Sequence, residues 1–462
     1  MTTDPTTLPT VTVRTRNPAS AAEGEETHMQ TNRSRWLRLL AVLLAFVMLT
    51  AACGDDDADT TSGDDAGNDS AGDAGDDGDS GDDDSGDAGD SGDEAGDDAP
   101  AADPVKIGLI AQTEELLAFP EVPAAAQAYV DYANTEDGAN IELVICNAGD
   151  APESHVGCAQ EFANDESINL VVSAGFLANS AAANDVLVGA GVPVLTLGND
   201  FIDFLTPGVF TLDPGLPGLA QVFFVFAAGE GITNGTLFIA DDPAFEPFIP
   251  ALQAIGDANG IDINEVVPLG FEPDLTGPVS AASTDKEMWM FVLADGAQCT
   301  ASAAAVDTVG YEGRTFANDL CMSEDVVSSG ALDGWSGPIL SAAPIVDGGD
   351  DVAFINRVLD EYGGSDAQNA GLAGWSFANM VVAREILESE GESATRESVG
   401  AALGSYSSSD VPGLDSVSCP GPSAWTGACN MAPLMVTVAD GVLTSPDGFV
   451  RLDFSELDFL LG

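Results

Sequence analysis

Basic residues are scarce in this chain. Only 12 of its 462 residues are Lys or Arg, against 77 Asp or Glu, and seven of the basic residues follow position 53. Proteins that bind nucleic acids neutralise phosphates with Lys and Arg, and adsorption to an anionic membrane needs a basic face. We therefore expect neither a nucleic-acid partner nor a membrane contact made through basic side chains.

Histidines and closely spaced cysteines are lacking as well. His155 is the only His after position 53, and no pair among the seven Cys has the C-x-x-C spacing. Zinc sites draw their ligands from such residues, so the sequence predicts no metal. The chain also has no G-x-S-x-G elbow, no P-loop, and no G-x-G-x-x-G after a predicted strand. Acidic residues are too frequent for any carboxylate pair to be informative, and we expect neither an enzyme nor a cofactor.

An apolar run long enough to span a membrane is not found near the N-terminus. Three Arg, at positions 33, 35 and 38, precede the apolar segment 39–50, whose 12 residues fall short of the ~20 that a spanning helix needs. Small residues and Cys53 follow, which is the order of a secretory signal. The segment before Met29 lacks signal character, so Met29 is a candidate translation start.

Residues 49–53, L-T-A-A-C, are similar to a bacterial lipobox, with Thr50 where Leu, Val or Ile is usual. The similarity implies that 1–52 is an N-terminal extension with a signal peptide. It also implies that Cys53 carries a lipid that holds the protein on the outer side of the cell membrane. An uncleaved signal anchor and a lipid-free secreted protein are the alternatives.

The segment 53–103 is predicted to be a disordered tether. Residues 54–103 contain 20 Asp and one Glu, no Lys or Arg and no aromatic residue, so they cannot bury a core. Calcium binding by this tract is the alternative. From Pro104 onward the chain still has 52 acidic residues against seven basic ones. Such a surface repels itself at low salt, and we expect a protein from a salt-water habitat.

Six Cys remain after Cys53, and an even number in an exported domain predicts disulfides. Fifteen pairings are possible on paper. The order of the chain favours near neighbours, namely Cys146–Cys158, Cys299–Cys321 and Cys419–Cys429.

From residue 105 the chain alternates between apolar strands and helices of about ten residues. Strands are predicted at 105–111, 141–146, 170–174 and 193–197, with helices at 124–134, 155–164 and 180–189. The alternation restarts at 218 and continues to 317, and helices follow at 350–362, 371–389 and 396–403. Two such runs predict an α/β fold with two lobes, each a parallel-rich sheet covered on both faces.

Several segments in order resemble the Leu/Ile/Val-binding, type I periplasmic-binding family. They are V-K-I-G-L-I at 105–110, C-N-A-G-D-A-P at 146–152, D-E-S-I-N-L-V-V-S-A-G at 165–175, A-G-V-P-V-L at 190–195 and F-I-A-D-D-P at 238–243. The resemblance covers about residues 105–455. It implies two Rossmann-like lobes joined by a three-strand hinge, with lobe 1 formed by 104–212 and 346–430, and lobe 2 by 213–345 and 431–462.

The resemblance also implies a function. The protein would be the monomeric solute-binding lipoprotein of an ABC importer. It would capture a small polar, amino-acid-like ligand, with branched-chain amino acids among the candidates, by hinge closure and pass it to a membrane permease. The alternative is a ligand-sensing or scaffolding lipoprotein with the same fold and no transport role.

In this family the ligand's carboxylate is held by backbone N–H groups and hydroxyls after the third and fourth strands. The matching positions in lobe 1 are Ser173, Ala174, Gly175, Phe176, Leu197, Gly198 and Asn199, and those expected from lobe 2 are Asp242, Phe245 and Asp319. The two glycines could instead serve only tight turns. Asp241, Asp295 and Asn318 are further polar candidates, and Trp289, Trp335 and Trp375 could line either the cleft or the core.

Overall fold

The computed structural model describes residues 103–114, 118–175, 178–340, 349–363, 367, 372–422, 424–446 and 448–461. The predicted signal peptide, the predicted lipid-attachment residue Cys53, residues 54–102 of the predicted tether and Phe176 lie outside these residues. In the part of the chain that is described, no helix is long and apolar enough to cross a membrane. No group of three or more potential metal ligands occurs in the same residues.

The first sheet has five parallel strands in the order β2-β1-β3-β4-β5. Its strands and the helices between them are β1 Val105–Gln112, α1 Glu121–Glu136, β2 Ile141–Ala148, α2 Pro152–Asn164, β3 Ile168–Ala174, α3 Ala178–Gly189, β4 Val194–Thr196 and β5 Val209–Thr211. A short 3₁₀ helix, Phe201–Phe204, lies between the last two strands.

The second sheet has seven strands in the order β14-β13-β10-β9-β8-β6-β7. The elements in chain order are α4 Gly215–Gly229, β6 Asn234–Ala240, α5 Phe248–Ala258, β7 Asp262–Leu269, α6 Thr276–Ala281, β8 Met288–Val292, α7 Gly296–Val309, β9 Arg314–Ala317, α8 Glu324–Ser328 and β10 Ser336–Ile339. Strands β6 to β10 are parallel, and the hairpin β13 Leu434–Ala439 with β14 Val442–Thr444 adds two antiparallel strands at one edge.

The remaining α-helices and β-strands lie between β10 and β13 in the chain, and a 3₁₀ helix, Phe454–Leu461, follows β14. They are α9 Gly349–Glu361, α10 Ala373–Glu390, α11 Arg396–Leu403 and the two-residue strands β11 Ser407–Ser408 and β12 Val417–Ser418. Helices α9, α10 and α11 pack on the first sheet through residues such as Ile355, Phe377 and Val399.

Both sheets bury apolar side chains on both faces. In β1, Leu109 belongs to the core under α1 and α10, whereas Ile110 belongs to the core under α2 and α3. In β8, Trp289 and Met290 likewise enter different cores. Continuous apolar strands of this kind need helices on both faces of the sheet. The structure has them on both sheets, so the predicted two-lobed α/β fold is confirmed.

The chain passes between the sheets three times, after β5, after β10 and between Cys429 and β13. At the first crossing, Thr211 pairs in parallel with Ala428, which lies far along the chain. The Thr211 N–H donates to the Gly427 carbonyl at 2.8 Å, and the Cys429 N–H donates to the Thr211 carbonyl at 3.0 Å.

All three near-neighbour disulfides form, Cys146–Cys158, Cys299–Cys321 and Cys419–Cys429. Six helices and strands were not predicted from the sequence, namely β5, α6, α8, β10, β11 and β12. Strands β5 and β10 have three and four residues, and Gly and Pro interrupt β10, so neither shows the period of a strand.

Candidate functional site

The first crossing between the sheets is built around a buried carboxylate. Asp213 follows β5 directly, is completely buried, and precedes the first turn of α4. It accepts hydrogen bonds from the Gly198 N–H at 3.2 Å, the Gly215 N–H at 2.8 Å and Trp375 Nε1 at 2.9 Å. These donors come from the loop after β4, the start of α4 and α10, so one carboxylate joins three elements. Burial raises the pKa of Asp213 to about 7, against the effect of these hydrogen bonds.

Two glycines allow the loop after β4 to lie against the start of α4. The Gly198 carbonyl accepts a hydrogen bond from the Leu216 N–H at 2.9 Å. Gly215 has φ of +55°, and a Cβ atom there would collide with the Gly198 carbonyl oxygen. Glycine is needed at this position on both counts.

A second buried carboxylate, that of Asp203, lies in the 3₁₀ helix between β4 and β5. Asp203 accepts hydrogen bonds from Ser180 Oγ at 3.0 Å and from Asn184 Nδ2 at 3.0 Å, and its pKa is raised to about 6 by burial. Asn184 Nδ2 also lies 3.2 Å from Thr196 Oγ1. Ser180 and Asn184 of α3, Thr196 at the end of β4, and Asp203 thus form one buried network.

The predicted residues after β3 are buried beside this network. Ser173 and Ala174 are completely inaccessible, and Ser173 Oγ has no hydrogen-bond partner among the described residues. Gly175 packs against His155: a Cβ atom added at Gly175 would lie only 3.0 Å from His155 Nδ1. Burial lowers the pKa of His155, whose Nε2 lies 3.0 Å from the Gly149 carbonyl oxygen. A ligand role for Ser173, Ala174 and Gly175 stays a prediction.

The three predicted amides after β4 are bonded within the protein. The Leu197 N–H donates to the Ser173 carbonyl at 3.1 Å, and the Asn199 N–H donates to the Leu197 carbonyl at 2.8 Å. The Gly198 N–H donates to Asp213, so the position expected for a ligand's carboxylate is occupied by the side-chain carboxylate of Asp213. A ligand carboxylate at these amides would have to displace existing partners, and this part of the predicted site also stays a prediction.

An apolar cavity of about 60 Å³ lies in the second lobe. Its walls are α4, α5, the 3₁₀ helix at 201–204 and the carboxyl ends of β8, β9 and β10. A single buried water needs roughly 10–15 Å³ measured in this way, so the space exceeds one solvent molecule several times. The lining residues are Phe201, Leu216, Pro217, Leu219, Ala220, Phe223, Phe245, Phe248, Ala251, Leu252, Ile255, Val292, Asn318, Asp319 and Pro338.

A narrow second cavity of about 10 Å³ continues from the first towards the other lobe. Leu216, Leu219 and Asp319 line both cavities, and Leu197, Asn199 and Asp213 line the second one only. The two cavities therefore bring predicted residues from both lobes together: Leu197 and Asn199 from lobe 1, and Phe245 and Asp319 from lobe 2.

Asp319 lies where the two cavities meet. It is half-buried, accepts the Leu320 N–H at 3.1 Å, and pairs with no Lys or Arg of the described chain. Burial raises its pKa to about 6. Asn318, the other polar residue in the lining, bonds the backbone of Leu293 through both ends of its amide, so it fixes the end of β8.

The other candidates have local partners. Asp242 accepts the Ala244 N–H at 2.8 Å in an exposed turn and lines neither cavity, while the Asp295 side chain caps the start of α7. Trp289 and Trp335 are buried in the core of the second sheet. Trp375 is buried in the first core and its ring nitrogen binds Asp213.

A profile described as periplasmic binding protein matches residues 104–431, which is most of the chain. The chain belongs to the periplasmic binding protein family. Within that family it is of the type I, Leu/Ile/Val-binding-like kind, as the sequence predicted. None of the curated proteins searched matches it.

Solved structures similar to this periplasmic binding protein share its fold at low sequence identity. An ABC transporter substrate-binding protein from Sphaerobacter thermophilus is 16% identical with a TM-score of 0.62, and the match covers 76% of this chain and 97% of that one. A substrate-binding periplasmic protein from Ralstonia solanacearum is 17% identical with a TM-score of 0.61, covering 73% and 99%. An ABC transporter solute-binding protein from R. palustris in complex with benzoate is 13% identical with a TM-score of 0.61, covering 76% and 98%.

Sequence reasoning missed Asp213 and the cavity walls from α4 and α5. A signal for Asp213 exists, because an acidic residue stands alone between β5 and the almost wholly apolar helix 215–229. A carboxylate in that position must be buried, and buried carboxylates need several donors. Helix α4 is buried on nearly every side, so its sequence gives no clue to which side faces a cavity.

Proposed function

We propose that this periplasmic binding protein is the extracytoplasmic solute receptor of an ABC importer, anchored to the cell membrane by a lipid on Cys53. The observation that supports it best is the cavity at the carboxyl ends of β8, β9 and β10, which continues through a narrow second cavity to residues of the other lobe. Ligands of open α/β sheets bind outside the carboxyl ends of the strands. The similar solved structures are substrate-binding or solute-binding proteins, and two of them belong to ABC transporters.

The same geometry supports capture of the solute by hinge closure. Leu197 and Asn199 approach the second cavity from one sheet, and Asp319 approaches it from the other. A solute that contacts both sides favours the closed arrangement by its additional contacts, because a ligand shifts a conformational equilibrium by its difference in affinity for the two states. The cavity lining favours a ligand with an apolar body among the small polar, amino-acid-like solutes expected from the sequence.

The test is a thermal-shift screen of the purified protein against amines, amino acids, amides, aromatic acids, sugars and polyamines, followed by small-angle X-ray scattering. Binding to the native state raises the free energy of unfolding by about 2.7 kcal/mol at a ligand concentration 100 times Kd, and the melting temperature rises with it. We expect one class to stabilise the protein saturably and to reduce its radius of gyration. Stabilisation without compaction would contradict hinge closure, and no stabilising solute from a folded sample would contradict the receptor function.

A further inference from the structure

The cavity in the second lobe combines aromatic rings with one unpaired acid. Phe223 from α4, Phe245 and Phe248 near the start of α5, and Phe201 from the other lobe all line it. The centroids of the Phe245 and Phe248 rings are 6.4 Å apart, in an edge-to-face arrangement. Aromatic faces carry negative charge density and attract cations placed over them.

Among the described residues, Asp319 supplies the only carboxylate in the lining of the apolar cavity. Burying a carboxylate without a positive partner is unfavourable, and an approaching cation reduces that cost. The raised pKa of about 6 still leaves Asp319 mostly ionised at pH 7, by roughly tenfold over the protonated form. A negative charge is therefore held at the edge of an apolar space with no cation of the described chain beside it.

Basic residues that could receive an anionic ligand are engaged elsewhere. Each of the seven Lys and Arg after position 53 has an acidic, amide or carbonyl partner, and none lines either cavity. The pairs include Arg314 with Glu230, Arg384 with Asp137, and Arg396 with backbone carbonyls. The amides after β4 are bonded within the protein, as described above. A carboxylate ligand would enter the cavity beside Asp319 without a compensating charge.

The net negative charge of the whole folded part also favours a cationic ligand. From Pro104 onward, 52 acidic residues face seven basic ones. Such an excess creates a potential that concentrates cations near the surface and disfavours anions, to an extent that falls with ionic strength.

We infer that the solute is an organic cation: an ammonium group that pairs with Asp319 and lies near the phenylalanine rings, on an apolar body that fills the cavity between α4 and α5. This inference rests on the proposed receptor function and names its ligand class. It distinguishes this protein from the R. palustris relative, whose structure contains the anion benzoate.

Three probes of similar size and different charge test the inference by isothermal titration with the full-length protein at pH 7.5. They are benzylamine, which is a cation at this pH, benzyl alcohol, which is neutral, and benzoate. We expect benzylamine to bind at least tenfold more tightly than benzyl alcohol, with no measurable binding of benzoate.

Asp319→Asn keeps the size and the acceptor for the Leu320 N–H but removes the charge, and we expect it to weaken benzylamine binding at least tenfold. Phe245→Leu, which keeps an apolar wall, should weaken it severalfold.

Asp325→Asn is the matched control, since Asp325 is an exposed acid on α8 that lines neither cavity. Tighter or equal binding of benzyl alcohol or benzoate, or an Asp319→Asn variant that binds benzylamine like the parent, would overturn the cation inference and leave the receptor function standing. If only sugars or acids from the wider screen stabilise the protein, the cation inference is likewise overturned and the receptor function stands. If no solute of any class binds, both the inference and the receptor function are overturned.

Discussion

At the scale of single residues, Asp213 is the most consequential side chain in the structure. Its three donors lie up to 162 residues away from it in the chain, and it lies at the first crossing between the sheets. Apolar surroundings raise its pKa to about 7, and the neighbouring Asp203 has a pKa of about 6 for the same reason. The folded protein therefore retains protons here that the unfolded chain releases.

This retention gives the stability a predictable pH dependence. Because the pKa of Asp213 is raised on folding, its contribution is fully present below about pH 4 and is lost as the pH rises through about 7. We expect the free energy of unfolding, measured by urea titration, to fall between pH 5 and pH 8. The fall attributable to Asp213 would be on the order of 3 kcal/mol.

Asp213→Asn should reduce this slope, whatever it does to the stability at one pH, because it removes the titrating group. Asp325→Asn, an exposed substitution, serves as the control and should leave the slope as it is. A slope of the opposite sign in the parent, or an equal slope in Asp213→Asn, would contradict the assignment.

The pH dependence of benzylamine binding is a further prediction at this scale. Protonation of Asp319 removes the charge that holds the ammonium group, so we expect the affinity to fall severalfold from pH 7.5 to pH 5. Asp213 is the other titratable group in the linings of the two cavities, and it titrates in the same range. Titrations of Asp319→Asn separate the two: its weaker binding should change little with pH, and a pH dependence equal to the parent's would assign the effect to Asp213.

At the scale of elements, Arg396 shows how one side chain fixes a helix end. Its guanidinium lies at the start of α11 and donates to the carbonyls of Phe162, Ala163 and Asp165, at the end of α2, and of Ile168 and Ala190. The carbonyls of a helix's last turn have no partners within the helix, and a cation there satisfies them and suits the helix dipole.

Arg396→Ala is therefore expected to lower the free energy of unfolding by about 2 kcal/mol, in the range of a half-buried charge-assisted hydrogen-bond cluster. The control is Arg451→Ala, which removes an exposed pair with Asp415 and should cost less than about 1 kcal/mol. Equal effects of the two substitutions in urea unfolding would show that the carbonyl contacts contribute little.

The sequence predicted the elements that have a clear period. Strand β8 is apolar throughout and β1 has a continuous apolar run from Ile107 to Ala111, so the positions of these strands and the two-lobed fold could be predicted. The near-neighbour disulfides followed from the order of the cysteines. What the sequence could not reveal is which hydrogen bonds are already taken: the amide of Gly198 is a plausible ligand donor until Asp213 is found against it. The walls of the cavity also depend on how α4 is turned, and its sequence is apolar on every side.

At the scale of the whole molecule, the acidic excess dominates. Like charges on a folded surface repel one another, and salt shortens the range of this repulsion from about 10 Å at 0.1 M to about 3 Å at 1 M. We expect the melting temperature to rise by at least about 5 °C between 0.1 M and 1 M NaCl, measured by circular dichroism. KCl at equal concentration should act in the same way, and a flat response to both salts would contradict a stability limited by surface charge.

The three crossings of the chain have a consequence for how the protein comes into being. Thr211 bonds to Gly427, 216 residues later, and Arg396 bonds to Ile168, 228 residues earlier. The first lobe is thus begun by the earliest part of the folded region, which supplies all five strands of its sheet, and completed by helices and contacts from residues made much later. Contacts at such separation slow folding, and neither lobe is a contiguous stretch that a ribosome or a translocation channel could release finished. A messenger truncated after β10 would encode every parallel strand of both sheets, and yet lack helices α9 to α11, which cover the first sheet, and Trp425 and Phe454, which belong to the core of the second.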